Sequence, residues 1–137
     1  MRHEKYPLAA AAFLIITSTL AAQASPLTLQ EQAQAFATCA GRYSALATRQ
    51  SATHDPDSAL SRRMQNDFEM LLEATLPHAV ATGIDPSQAR QWRSTGWTEM
   101  ARLMRLQYYG TDADRAARAH ADMQRRLSIC RRMILPA

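Results

Sequence analysis

The sequence predicts an all-α fold: an antiparallel four-helix bundle of up-down-up-down topology, closed by one disulfide. Three observations predict it. Four apolar stripes step along the chain by threes and fours, the spacing that lines one face of a helix. Residues that start or stop helices bound each stripe, and no stretch alternates apolar and polar residues as a half-buried strand does. The two cysteines, Cys39 and Cys130, lie on or beside the stripes of the first and last helices. Helices of roughly 20 residues joined by short connections pack as neighbours of alternating direction.

Residues 1–24 read as a cleavable secretory signal peptide and are set apart from the bundle. Arg2, His3 and Lys5 make a basic start, and an apolar run extends from Leu8 to Ala22, interrupted by Thr17, Ser18 and Thr19. Ala22-Gln23-Ala24 has the small-x-small pattern of a cleavage site. The run is shorter than the roughly 20 apolar residues that cross a bilayer, and no other stretch is apolar enough to do so. The expectation is one helical-bundle domain over residues 25–137, in the periplasm or secreted, with no stable membrane span after cleavage.

The first helix starts at Thr28 and Glu31, whose spacing is that of a capping box. Leu29, Ala33, Phe36, Ala40, Tyr43 and Ala47 then form its apolar face. Thr48 to His54 is polar and unperiodic, which reads as a connection. Asp55-Pro56 starts the second helix, because proline in a first turn lacks an amide that would have no partner there anyway. Leu60, Met64, Phe68, Leu71, Leu72 and Leu76 are its inward residues. Pro77 is expected to end or kink it, with Gly83 its furthest limit.

Asp85-Pro86 repeats the start signal for a third helix that runs to about Gly110, with Ala89, Trp92, Gly96, Met100, Leu103 and Met104 on one side. Trp97 and Tyr108 widen that stripe on one flank. Thr111 or Asp112 caps the fourth helix, whose face is Ala116, His120, Met123, Leu127, Cys130 and Ile134, and Pro136 closes the chain.

In an exported protein an even pair of cysteines is expected to be oxidised, with two separately buried thiols as the alternative. A disulfide between Cys39 and Cys130 would clamp the first helix to the fourth. Their stripes would mesh there, with Tyr43 near Leu127 and Ala47 near Met123.

Charge is unevenly placed. Residues 25–137 hold fourteen arginines, no lysine and eleven acids, and the imbalance sits in the second half: residues 25–85 are net −3 and residues 86–137 net +6. One reading is surface pairing between helices, with Asp67, Glu69 or Glu73 facing arginines of the third and fourth helices. The other is a surface for an anionic partner, which would show Arg102, Arg105, Arg115 and Arg118 on one open face.

Catalytic and metal-ligating patterns are sparse. His54, His78 and His120 lack partners at the H-x-x-x-H or E-x-x-H spacings that place metal ligands on one helix face. No C-x-x-C, C-x-x-C-H or glycine-rich phosphate loop occurs, since Gly41 and Gly96 are isolated. His120, on the expected core stripe, reads as a hydrogen-bonded core histidine before it reads as a ligand or general base. The expectation is therefore no catalytic residue, no metal and no cofactor. The candidate partner-binding residues are Trp97, Tyr108, Tyr109, Arg102 and Arg105, because these aromatics cannot all be central in a small bundle and arginines share their helix. A broad buried helix with arginine stems over the core edge is the alternative.

The segment Cys39-Ala40-Gly41-Arg42-Tyr43-Ser44-Ala45, with a second cysteine near the C-terminus and a leucine-rich middle ending near Pro77, resembles a group of small exported helical proteins of alphaproteobacteria. Ala47-Thr48-Arg49-Gln50 departs from the aromatic-containing segment of that group. The resemblance implies export and the disulfide, and no mechanism. Leu27-Thr28-Leu29-Gln30-Glu31 is similar to the L-T-x-x-Q motif of the Spy and CpxP periplasmic chaperones, with Glu31 in place of Gln. The functional expectation is an exported, non-enzymatic binding or adaptor protein with a protein partner and no nucleic acid. A chaperone-like holdase and an enzyme with a pocket built from distant residues are the alternatives.

Overall fold

The computed structural model describes residues 26–135. Residues 1–24, expected to be a signal peptide, and Pro136, expected to close the chain, lie outside them. Four helices make up the fold: α1 (Leu29–Ala52), α2 (Ser58–Ala81), α3 (Gln88–Tyr109) and α4 (Ala113–Ile134). Among the described residues there is no strand, and no helix is long and apolar enough to cross a membrane. The all-α class, the four helices and the disulfide are as the sequence predicts.

Local chemistry sets the helix ends. Thr28 Oγ1 accepts the amide of Glu31 while the Glu31 carboxylate accepts the amide of Thr28, which completes the capping box. Asp55 and Asp85 each accept the amide two residues on, those of Asp57 and Ser87, and so open the turns that lead into α2 and α3. Asp112 caps α4 by accepting the amide of Arg115. At the other end of α2, Gly83 takes φ 105°, its amide reaches Val80 O, and that of Ile84 reaches Ala79 O. This is a Schellman stop.

Two boundaries differ from expectation. α1 continues through Thr48–Ala52, because its last turns have neighbours: Arg62 of α2 donates to Ser51, and Arg49 engages Tyr109 of α3. Pro77 does not end α2, which runs on to Ala81, within the Gly83 limit. Both Pro77 and Glu73, whose carbonyl would otherwise receive the missing amide, are exposed, so water can satisfy that group.

α1 is the central helix. It packs most broadly on α2 and α3, α3 packs on α4, and the direct α1–α4 contact is thin. Contacts run in opposite order along α1 and α2, where Ser51 meets Arg62 and Tyr43 stacks on Phe68 with ring centroids 6.0 Å apart. They run in the same order along α1 and α3, where Arg42 meets Glu99 and Arg49 meets Tyr109. The expected clamp of the first helix to the fourth is present at the disulfide, where Tyr43, Met123 and Leu127 share one apolar cluster, but the direct packing of α1 on α4 is narrow.

Glycine is the reason. A Cβ on Gly41 would lie 2.0 Å from Arg93 O, and one on Gly96 would lie 2.1 Å from Thr38 O. The α1 and α3 backbones therefore touch at a crossing that side chains would prevent. That closeness leaves α4 to the side, joined to α1 by the Cys39–Cys130 disulfide with Cα atoms 5.7 Å apart.

Two apolar clusters fill the interior. Phe68, Tyr43, Met100, Leu103, Met123, Leu127 and the disulfide form one, and Ala33, Ala37, Leu72, Ala79, Ala89 and Trp92 form the other. Each large side chain buried in this way contributes about 1.5–3 kcal/mol of hydrophobic stabilisation. Three stripe residues lie outside. Leu29 and Leu60 are exposed in the first turns of their helices, where no neighbour covers them. His120 is exposed as well, and Ala119 takes the inward position. The rest of the α4 stripe is as expected, with Met123, Leu127 and Cys130 buried and Ala116 and Ile134 half-buried.

Candidate functional site: the outer face of α3

The inner side of α3 carries Ala89, Trp92, Gly96, Met100, Leu103 and Met104, all buried. Its opposite side carries Arg90, Ser94, Trp97, Thr98, Arg102, Arg105 and Tyr108, all exposed. Arg90, Trp97, Ala101, Arg105 and Tyr108 recur at steps of seven, four, four and three, which keeps them on one outward stripe.

Trp97 is the pivot of this face. It is 44% exposed, beside the Gly41–Gly96 crossing, and it forms a wall of two depressions. One, of about 310 Å³, is lined by Trp97, Thr98, Ala101, Arg102 and Arg105. The other, of about 400 Å³, lies where α1, α2 and α3 meet, and its lining includes Gly41, Gln65, Arg90, Ser94 and the Glu69–Arg93 pair. Arg90, Ser94, Thr98 and Arg102 also line a longer shallow groove over α3.

Ion pairs hold α3 in place from its other sides. Arg93 grips Glu69 of α2 through two guanidinium nitrogens, at 2.6 and 2.9 Å, a bidentate geometry that fixes both side chains. Glu69 thus meets an arginine as the charge pattern predicts. Glu99 bridges three helices, accepting from Arg42 of α1 at 2.7 Å and from Arg126 of α4. The Arg115 amide, aided by the nearby charges of Arg115 and Arg118, holds the Asp112 carboxyl below the usual value.

The sequence-predicted site residues fall into two groups. Trp97, Arg102 and Arg105 come together around one depression. Tyr108 and Tyr109, 50% and 67% exposed, gather instead at the end of α3 around Arg49, whose guanidinium carbon lies 4.4 and 5.2 Å from their ring centroids. Arg49 also donates to Tyr109 Oη. This cation–π clasp ties the last turn of α3 to α1. The sequence does not single out Arg49. Its polar stretch reads as a connection, and only its departure from an aromatic-containing pattern signalled a difference there.

His120 is exposed on α4, outside these depressions. Among the described residues no group of three or more His, Cys, Asp or Glu side chains is placed to hold a metal ion. The cysteines are fully engaged: both are buried, and neither is a free thiol. A disulfide of this kind persists in oxidising compartments.

Compared with protein-family models, with curated proteins and with solved structures, the chain finds no match.

Proposed function

We propose that this is an exported binding or adaptor protein, without enzymatic activity, whose α3 outer face docks a protein partner. The carrying observation is Trp97. A large aromatic side chain stands 44% exposed on a helix fixed from three sides, next to an apolar depression edged by two arginines. Tryptophan and arginine are the residue types that dominate the energetics of protein interfaces, above all where a rigid scaffold presents them. The periplasm or the secreted fraction is the proposed location, supported by the signal-peptide pattern and by the disulfide.

A holdase of the Spy or CpxP kind would use dispersed, adaptable apolar surface. Leu60 and Met70 are exposed singly on α2, and Ile129 with Met133 makes only a small pair at the end of α4, which favours one docking face instead.

Co-purification from the exported fraction tests the proposal. The unaltered protein is expected to recover a stoichiometric partner after cross-linking, and Trp97→Ser with Arg105→Ser to lose it at unchanged melting temperature. Recovery of the same proteins by both forms, or of none by either, would count against the face.

A further inference from the structure

We infer that the partner segment docked on α3 is acidic with an apolar centre, an inference that rests on the binding proposal above and adds the partner's chemistry. α3 contains four arginines and one acid. The acid, Glu99, is committed to Arg42 of α1 and Arg126 of α4. Arg93 is committed to Glu69 of α2. Arg90, Arg102 and Arg105 remain, all exposed and without an ion-pair partner among the described residues. The face is therefore a row of three uncompensated guanidinium groups, whose fork geometry matches carboxylates.

Spacing narrows the ligand further. Arg90 precedes Trp97 by seven residues and Arg105 follows it by eight, so they stand about 10 and 12 Å to either side along the helix axis. The depression between Trp97 and Arg105 exposes mostly carbon, and at about 310 Å³ it seats one apolar side chain. From Ala101, at the centre of that depression, Arg90 lies about 16 Å one way and Arg105 about 6 Å the other, so at about 3.3 Å per residue carboxylates roughly five residues to one side of an apolar anchor and two to the other reach both ends. A peptide meets the demand for a single seated side chain between two carboxylates, whereas a flat layer of anionic headgroups presents charge without the anchor.

Titration with three probes tests this. The first is an eleven-residue peptide with one central phenylalanine flanked by aspartates and glutamates. The second replaces every acid by its amide, and the third is a vesicle of phosphatidylglycerol. The acidic peptide is expected to change the Trp97 fluorescence and to bind about tenfold more tightly than the amide peptide, with affinity falling as salt rises. Arg90→Ser, Arg102→Ser and Arg105→Ser together should weaken it about tenfold while leaving circular dichroism and melting temperature unchanged. Equal affinity for the two peptides would overturn the acidic preference and leave the docking face standing. Binding to vesicles but to neither peptide would overturn the inference in favour of a membrane surface. Binding to no probe would overturn it outright, and co-purification then decides separately whether the face docks a protein.

Discussion

His54 sits at φ 56°, a left-handed conformation that crowds the Cβ of any side chain. It is the αL residue of a Schellman stop on α1, with its own amide reaching Ser51 O and the Asp55 amide reaching Gln50 O. Gly83 fills the equivalent place after α2. His54→Gly is therefore expected to stabilise the protein by about 1 kcal/mol, and Gly83→Ala to destabilise it by about the same, both read from urea midpoints. Gly41 and Gly96 act through space rather than through φ. Alanine at either would raise helix propensity by about 1 kcal/mol, yet its methyl would fall about 2 Å from a backbone oxygen of the facing helix. Overpacking is expected to win, so that each substitution lowers stability by about 1–3 kcal/mol net. A stability gain at either glycine would contradict the close crossing. Exposed carboxylates add a pH dependence. Hydrogen bonds from the Thr28 backbone and hydroxyl hold Glu31 below its ordinary 4.5, and bonds from Ser87 and the Arg115 amide hold Asp85 and Asp112 below 3.8. A depressed carboxyl stabilises the fold above its unfolded value and loses that contribution as pH falls through the folded one. Urea midpoints should accordingly decline below about pH 4.5, and less so in Asp112→Asn, whose capping oxygen does not titrate.

Helices and their ends were legible wherever one residue's chemistry decides the outcome. Thr28 with Glu31, the two Asp-Pro turns and Asp112 each announce a start, because the groups that satisfy the first free amides are local. Faces were less legible where alanine carries the pattern. Between Ala116 and Met123 either Ala119 or His120 continues the α4 stripe by threes and fours, and only the packed structure shows that Ala119 is the buried one. Pairing between helices was the least legible. Gly41 and Gly96 are distant in sequence and each reads alone as a weak point, so nothing local reports that together they let two backbones touch. The same holds for Glu99, which looks like a surface residue until α1 and α4 bring it Arg42 and Arg126. Glu99→Gln would leave two partly buried guanidinium groups without a counter-charge, and a loss of about 2 kcal/mol is expected, measured by chemical denaturation. An unchanged midpoint would remove the three-helix bridge from the account.

The molecule as a whole is a central helix with two partners and a fourth helix tethered at its side. The tether spans 91 residues of sequence, so its closure restricts the unfolded chain by about 4–5 kcal/mol. Against the 5–15 kcal/mol of net stability common for proteins of any size, that is a large share. Reduction should lower the urea midpoint steeply, and neither cysteine should take an alkylating label, even in denaturant, until the bond is reduced, because no thiol is free. Of the candidate site, the exposed aromatics and arginines of the third helix could be read from sequence, since a bundle core has no room for Trp97, Tyr108 and Tyr109 together. Which of them share a surface could not, because that depended on Arg49 drawing the tyrosines to α1 and leaving Trp97 with Arg102 and Arg105. A photo-activated cross-linking side chain, placed at Thr98 beside that depression or at Met70, exposed on α2, separates a docking face from ordinary surface. Irradiation in living cells should give a discrete adduct from position 98 and none from position 70, whereas equal labelling from both, or adducts from position 70 alone, would contradict a docking face on α3.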